Sequence, residues 1–507
     1  MTDELCQVPD GRCGARDAGP LRCQHAKPTV AACILLALSV LTFVGAQIAL
    51  WPQNGYWIDE YFSLWASEPT LSLRTLLDER ILTDTNPPLY FLLLALARLV
   101  PAEPRVTFLA LNVVALVLAC TFVILSSRQS ELSLASVVAC ALFAASGPVL
   151  CYAPEGRAYL VAMCITFATA WTAATAAERH GAATLALLGA LAALAHVFAV
   201  ILALAIAAGL LIEAALSRRR RLVRAGLALG GASGTLFAAW LPLALEHKAN
   251  LSWIEFSAAS VLRAAGYVNQ LAFGHTLVAV AVLAFLACSA RHSEARPPLR
   301  IFGIALVLFV MMPLLASFHT PVVHGRYWLV GAPMIPVLAA LTLRCELARA
   351  SWTTWAGRSA LAAATLGSVI FAAAAAGGFA QALAFTASKP IWRGAGLAAS
   401  RVRGCGKGTV HVWHGEGNYA MASGAPVSTF IDATRPETPL LDPRNAACPV
   451  LGWAEHVYLG GKKLGEVSDE GLLALLKIGT ARVCNVQVLR HSSGFIILSG
   501  DDNVTPP

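Results

Sequence analysis

The sequence predicts an all-α polytopic membrane protein with a small α/β domain at its C-terminal end. Of the 507 residues, 57% are hydrophobic and only 13% are charged, whereas soluble domains average about 25% charged residues. After residue 385 the composition changes, because charged residues, glycine, proline and asparagine return. We therefore divide the chain into a disordered cytoplasmic tail (1–28), a transmembrane domain (29–385) and an extracytoplasmic α/β domain (386–507).

The first apolar segment, residues 29–51, is long enough to cross a bilayer, which needs about 20 residues. A cleaved signal peptide is the alternative, but the polar region before this segment is long for a signal. The first outer loop then covers residues 52–86, and its segment 72–82 has the apolar spacing of an amphipathic helix. We expect Asn86 to cap the helix that follows this loop.

The later apolar segments bring the predicted number of spans to about eleven to thirteen, at about 20 residues per crossing. Basic connections mark the cytoplasmic side, and the strongest, Arg218 to Arg221, is interpreted as a topology signal rather than a nucleic-acid site. Glu213 lies just before this run, and we expect the two to pair. The later segments lie at about residues 87–100, 105–126, 132–151, 157–177, 182–216, 225–245, 263–290, 301–318, 327–343 and 359–383.

The polar stretch around Glu155 does not fit this simple topology. If segments 87–100, 105–126 and 132–151 all cross, Glu155 lies on the cytoplasmic side, opposite the first outer loop. Either one of these segments is re-entrant, or the stretch does not belong to a site in that loop.

The C-terminal domain contains two segments with the pattern of strands, Thr409–Trp413 and Ala481–Val488. Asp469–Lys477 has the pattern of a short helix, so the domain is predicted to be α/β. Outside the cytoplasm one disulfide could form in it, and the sequence leaves the pairing open. The cysteines concerned are Cys405, Cys448 and Cys484.

The acidic pair Asp59 and Glu60 is the first candidate for chemistry. It follows the first span and is flanked by tryptophan and tyrosine residues, which favour the membrane–water interface. An acid there could act as a general base, or bind a divalent cation such as Mg²⁺ or Mn²⁺ that neutralises a phosphate leaving group. A solvated loop pair or a helix cap is the alternative. We predict both as catalytic residues, with Asp59 as the candidate metal ligand.

A second group of polar residues begins an otherwise apolar helix and comprises Tyr152, Glu155, Arg157 and Tyr159. Charged side chains so close to hydrocarbon are costly and usually face a polar cavity. A mutually neutralising ion pair at a helix end is the alternative. We predict all four as substrate-binding residues.

Three further candidates lie inside or at the start of later apolar segments. Arg326, followed by Tyr327, could hold a phosphate through its forked guanidinium, and snorkelling to lipid head groups is the alternative. His196 is a single histidine within an apolar run, where an ionisable residue is a functional candidate. A neutral histidine bonded to a neighbouring helix is the alternative for that position.

Together these stretches resemble the GT-C superfamily of membrane glycosyltransferases. The likeness is strongest to the dolichyl-phosphate-mannose–protein mannosyltransferase-like branch, which includes bacterial polyprenyl-phosphate-sugar transferases. It adds Tyr90 to the predicted substrate-binding residues, and it covers about residues 30–340. In chain order the motifs are Asp59-Glu60, Pro87-Pro88-Leu89-Tyr90, Tyr152 to Tyr159, and Arg326-Tyr327.

The resemblance implies a GT-C-like fold and an inverting transfer of a hexose or pentose from a polyprenyl-phosphate donor. The acceptor would be a glycan, lipid or protein outside the cytoplasm, and the enzyme would be a multi-pass protein of the inner or plasma membrane. Asp59 would be the base or the metal-contacting acid, and Arg326 would hold the donor phosphate. The alternatives are a transporter or flippase of lipid-linked sugars, and a non-catalytic scaffold.

Overall fold

The computed structural model describes residues 30–51, 58–82, 84–127, 133–176, 181–247, 254, 256–290, 296–349 and 354–388, with residue 468 and short strands between residues 410 and 498. Up to residue 388, the described residues form helices and their connections, in agreement with the predicted all-α membrane fold. In chain order the helices are α1 (Val30–Leu50), α2 (Ile58–Ala66), α3 (Leu73–Leu76), α4 (Leu89–Ala97), α5 (Pro104–Ser127), α6 (Ser133–Ala144), α7 (Gly147–Tyr152), α8 (Tyr159–Ala174), α9 (Ala182–Ala195), α10 (Val197–Ser217), α11 (Arg220–Glu246), α12 (Ala258–Phe273), α13 (Thr276–Ser289), α14 (Arg296–Ser317), α15 (Gly325–Trp328), α16 (Met334–Arg349) and α17 (Trp355–Ser388).

Six of the described helices are long and apolar enough to cross a membrane, so the chain is a multi-pass membrane protein. A seventh span is formed if α12 and α13, which meet at an angle of 74°, count as one bent crossing. Shorter apolar helices add to these, and the total of eleven to thirteen spans stays a prediction. The shorter ones are Leu36–Leu50, Leu134–Ala144, Tyr159–Ala174 and Ala182–Ala195.

The short length of α4 resolves the topological conflict around Glu155. This helix has 9 residues, which at about 1.5 Å per residue cannot cross a hydrocarbon core about 30 Å thick. Segment 87–100 is therefore not a crossing. The next two segments, α5 and then α6 with α7, return the chain to its starting side, so Glu155 lies at the same end of the bundle as α2.

The first outer loop contains the predicted amphipathic helix, as α3 followed by one π-helical turn, Leu77–Ile81. Leu76 and Ile81 of the apolar stripe are buried, whereas Leu73 at its start is 64% exposed. The expected Asn86 cap is wrong: α4 starts only at Leu89, and the Asn86 amide donates to Asp84 Oδ2 over 3.0 Å. The reason is that a residue before proline is disfavoured in helical conformation, so the helix begins beyond the two prolines.

Helix α8 lies in the centre of the bundle and is buried along most of its length. Around it, α10 packs against α11 and α14, and one ion pair ties α10 to α14. Glu213 accepts two hydrogen bonds of 2.7 Å from Arg300. The expectation that Glu213 pairs with Arg218 to Arg221 is therefore wrong, because α14 lies alongside it whereas the run turns away into α11.

The bend between α12 and α13 depends on Gly274. Its φ of 73° lies in the left-handed region, which residues with a side chain rarely adopt. A Cβ at this position would also overlap the backbone of Gly377 in α17. The backbone of α17 therefore leaves no space for a side chain at the bend between α12 and α13.

Short strands follow the membrane helices. Four of them form one sheet in the order β1-β2-β6-β5, with β1 parallel to β2 and the other pairs antiparallel. Strand β1 falls within the predicted strand Thr409–Trp413, whereas β5 shares only its first two residues with Ala481–Val488. The predicted helix Asp469–Lys477, the tail 1–28 and the three C-terminal cysteines lie outside the described residues. The strands are β1 (Val410–Val412), β2 (Val450–Trp453), β3 (Tyr458–Leu459), β4 (Lys462–Lys463), β5 (Gln487–His491) and β6 (Gly494–Leu498).

Candidate active site

The acidic pair lies in the first turn of α2, where carboxylates interact favourably with the positive end of the helix dipole. The other end of this helix is held by Arg98, whose guanidinium donates to the carbonyl oxygens of Leu64 and Ser67. Arg98 also forms an ion pair of 3.3 Å with Glu68. Sequence reasoning missed Arg98, because a single arginine after an apolar helix has no distinctive pattern.

Asp59 is held between two arginines that are distant in sequence. Arg326 Nη1 donates to Asp59 Oδ2 over 2.9 Å, although the residues are 267 positions apart. Arg157 Nε lies 3.9 Å from the same oxygen, and Arg157 Nη1 donates to the Asp59 carbonyl over 3.2 Å. The Asp59 side chain is 31% exposed, against 12% for Arg157 and 13% for Arg326. A ligand can therefore reach the carboxylate and, beside it, both guanidinium groups.

Glu60 has a different environment from Asp59, because its side chain is buried. Its Oε1 accepts a hydrogen bond of 2.9 Å from the backbone N–H of Gly156. Glu60 thus attaches α2 to the stretch that carries Glu155 and Arg157. This contact favours a positioning role, and the catalytic role of Glu60 stays a prediction.

The connection between α7 and α8 carries Glu155, and Asn112 from the middle of α5 supports it. The Asn112 amide donates to the carbonyls of Ala153 over 3.0 Å and Glu155 over 2.8 Å. The Glu155 side chain is buried and interacts electrostatically with the hydroxyls of Tyr90 and Tyr152. Asn112 was not predicted, since one asparagine in an apolar helix gives no sign of what it bonds.

Three of the predicted substrate-binding residues form an aromatic cluster next to the arginines. The Tyr159 ring lies 5.4 Å from His196 and 6.2 Å from Tyr327, and His196 lies 5.8 Å from Tyr327. His196 separates α9 from α10, and its Nδ1 accepts from the backbone N–H of Phe198 over 3.1 Å. Capping of the N-terminus of α10 explains the position of His196, and so does its contact with the aromatic cluster.

Tyr90 of α4 brings a buried hydroxyl to the same region. Within the part of the chain that the structure describes, this hydroxyl has no hydrogen-bond partner. It interacts electrostatically with Glu60, Glu155 and Arg157. Buried hydroxyls are nearly always bonded, so this one is available to a ligand.

Asp84 is a buried acid of the outer loop that was not predicted as a site residue. It accepts from the Thr85 backbone N–H over 2.7 Å and from the Asn86 amide over 3.0 Å. Burial raises the pKa of Asp84, and the Arg157 guanidinium opposes that shift. The feature of the sequence that could have indicated Asp84 is its position just before the motif Pro87-Pro88-Leu89-Tyr90.

The surroundings of Asp59 do not suit a resident divalent cation. Among the described residues, no group of three or more histidine, cysteine or acidic side chains could hold a metal ion. The neighbours of the Asp59 carboxylate are two guanidinium groups, which repel a cation. A resident Mg²⁺ or Mn²⁺ at Asp59 therefore does not fit these donors, and it stays a prediction from the sequence alone.

Solved structures with a similar fold include two of ArnT. One is ArnT from Cupriavidus metallidurans bound to undecaprenyl phosphate, with a TM-score of 0.55 and 12% identity over 94% of this chain and 99% of that one. The other is ArnT from the same organism in the apo state, with a TM-score of 0.51 and 12% identity over 91% and 97%. No family model matches the sequence. No curated protein matches it either.

At this identity the likeness shows the fold. The chain has a polytopic membrane fold similar to that of these structures, and the match extends over almost the whole of both chains. Membership of the GT-C superfamily, to which the four motifs point, stays a prediction. The mannosyltransferase-like branch stays a prediction.

Proposed function

We propose that the protein is an integral-membrane glycosyltransferase that moves a sugar from a polyprenyl-phosphate donor to an acceptor outside the cytoplasm. The contact of Arg326 and Arg157 with Asp59 carries this proposal. Transfer from a lipid phosphate needs a proton acceptor beside a cation that binds the leaving phosphate. Undecaprenyl phosphate is bound in one structure of similar fold, which supports a donor of this class.

The geometry suggests a division of roles. Arg326 and Arg157 bind the donor phosphate, and the Asp59 carboxylate takes the proton from the acceptor hydroxyl or amine. The acceptor forms a bond to the anomeric carbon while the bond from that carbon to the phosphate oxygen breaks. The phosphate leaves with the electron pair and is neutralised by the guanidinium groups. One displacement inverts the configuration and needs no second carboxylate as nucleophile.

The ion pair also implies an order of events. Before the donor binds, the Asp59 carboxylate is the anion that neutralises Arg326. A donor phosphate would take that place, because the two non-bridging oxygens of its phosphodiester can accept hydrogen bonds from both guanidinium groups. Asp59 is then released to accept a proton from the second substrate.

The surrounding residues suit a sugar. The cluster of Tyr159, His196 and Tyr327 offers aromatic faces, and the free hydroxyl of Tyr90 can bond a sugar hydroxyl. We propose a hexose or pentose as the transferred group and a glycan, lipid or protein as the acceptor. We also propose that α2 and the C-terminal domain face the outside of the inner or plasma membrane.

The test is sugar transfer in proteoliposomes supplied with a panel of undecaprenyl-phosphate monosaccharides as donors and with a cell-envelope extract that contains glycan, lipid and protein acceptors. Wild type is expected to cleave one of these donors, and Asp59→Asn is expected to be inactive. Asp78→Asn, the same change at an exposed acid in an i,i+4 pair, is the matched control and should stay active. Movement of a donor across the membrane by wild type without any cleavage would contradict the proposal and support the flippase alternative.

A further inference from the structure

Helix α12 brings Tyr267 to the peptide that carries Arg326. A Cβ at Gly325 would lie 2.7 Å from Cδ1 of the Tyr267 ring, so the ring packs directly on the residue before Arg326. The ring also contacts Phe385 of α17, with 5.3 Å between centroids. Tyr267 is thus fixed beside the arginine by packing from two helices.

The hydroxyl of Tyr267 is paired with a hydroxyl of the predicted site. Tyr267 and Tyr152 approach to 2.7 Å between their oxygens. Both hydroxyls interact electrostatically with the Arg326 guanidinium and with Glu155. The pair therefore belongs to the same polar region as the arginine.

The number of protons in this pair leaves one donor unused. Two hydroxyls have two protons, and the bond between them uses one. Tyr152 is only 2% exposed, whereas Tyr267 is only partly buried. Either hydroxyl can be the donor within the pair, and in the arrangement where Tyr152 donates, the proton of Tyr267 can be donated outward. A hydroxyl that already accepts a hydrogen bond is a stronger donor.

We propose that Tyr267 donates this proton to an oxygen of the lipid phosphate held by Arg326, with Tyr152 as its positioning residue. This inference rests on the proposed function, because it takes the phosphate site from it. It adds α12 to the elements that bind the donor, and Tyr267 lies outside all four sequence motifs. A phosphate oxygen is the fitting acceptor, since a hydrogen bond to an anion is short and strong.

The experiment measures the dissociation constant of undecaprenyl phosphate for the full chain in nanodiscs. Tyr267→Phe keeps the ring that packs on Gly325 and removes only the hydroxyl, and binding is expected to weaken on the order of tenfold. Tyr152→Phe should weaken binding by about twofold to threefold, because the outward donor remains. The double variant should bind no more weakly than Tyr267→Phe, since Tyr152 acts through Tyr267.

Two controls separate phosphate binding from folding. Thr365→Val, which removes an exposed hydroxyl from α17, should bind as wild type does. Undecaprenol, which has the same tail without a phosphate, should bind Tyr267→Phe and wild type equally. A structural defect would weaken the binding of both lipids, and that result would overturn the inference.

The remaining outcomes distinguish this inference from the proposed function. If Arg326→Gln loses affinity and Tyr267→Phe binds as wild type does, the role of Tyr267 is wrong and the proposed function stands. If wild type does not bind undecaprenyl phosphate, or Arg326→Gln binds it unchanged, both fail. If Tyr267→Phe affects only donors that carry a sugar, the hydroxyl bonds the sugar and the inference is overturned.

Discussion

Asp59 combines two functions in one carboxylate. It neutralises two arginines in the free protein and is proposed to act as the base once the donor has bound. The two functions require opposite environments of the carboxylate, because a carboxylate bound to guanidinium groups is a weak proton acceptor. Replacing the acid should therefore affect binding and chemistry in opposite directions.

We expect Asp59→Asn to lower the rate of transfer by about a hundredfold to ten-thousandfold, the usual contribution of a general base. The same variant should bind undecaprenyl phosphate about threefold more tightly, because the amide no longer competes for the arginines. Equilibrium binding and single-turnover transfer measure the two effects separately. If Asp59→Asn bound the lipid more weakly than wild type does, Asp59 would stabilise the bound lipid and would not compete with its phosphate for the arginines.

Arg326 is expected to act through its shape as well as its charge. Arg326→Lys keeps the charge but loses the forked pair of donors, so the affinity for undecaprenyl phosphate should fall about tenfold. Arg74→Lys, at a side chain that is 91% exposed, is the matched control. Equal affinities of Arg326→Lys and wild type in the same binding assay would rule out forked recognition.

Among the elements, α2 depends on a residue that does not take part in the chemistry. Arg98 holds its C-terminal end through two carbonyls and Glu68, and Glu60 holds its N-terminal end through Gly156. Asp59 directly precedes Glu60 in the first turn of this helix. Its position relative to Arg326 therefore depends on both ends of a helix of 9 residues.

We expect Arg98→Gln to lower the free energy of unfolding by about 2 kcal/mol, because it leaves buried carbonyls without their charged donor. Transfer should fall as well, since α2 can then shift away from the arginines. Thermal unfolding and transfer assays would record the two effects, with Arg74→Gln as the control. Normal stability together with normal transfer would show that Arg98 does not hold α2.

The bend between α12 and α13 gives a prediction about glycine. Gly274→Ala should destabilise the protein by more than 1 kcal/mol, since φ is positive and α17 occupies the space of a Cβ. Gly231→Ala in α11 is the contrast, because nothing lies within 4 Å of its Cβ position. That variant should be neutral or stabilised by about 0.5 kcal/mol. Equal unfolding midpoints of the two variants would contradict the role of Gly274.

On the scale of the whole molecule, the sequence predicted the class of fold and the residues that meet. Hydropathy identified the apolar segments, and polar residues beside them marked the candidate site because charge in hydrocarbon is costly. The contact between Asp59 and Arg326 across 267 positions was expected only from the resemblance of motifs in order. A pattern of neighbouring residues cannot predict a contact between two residues so far apart in sequence.

The residues of the site that could not be predicted from the sequence were missed for one physical reason. Tyr267, Asn112 and Arg98 act through contacts between distant helices, and a single polar residue does not indicate its partner. The wrong partner for Glu213 has the same origin, because the nearest charge in sequence was not the nearest in space. Likewise, hydropathy detected the segment of α4 but could not show that its helix is too short to cross.

The most direct measurement of the central claim is a structure of the protein with undecaprenyl phosphate bound. We expect the phosphate within hydrogen-bonding distance of Arg326 and Arg157, with the Asp59 carboxylate released from Arg326 and open to a second substrate. A phosphate bound elsewhere, with the contact between Asp59 and Arg326 unchanged, would contradict the central claim.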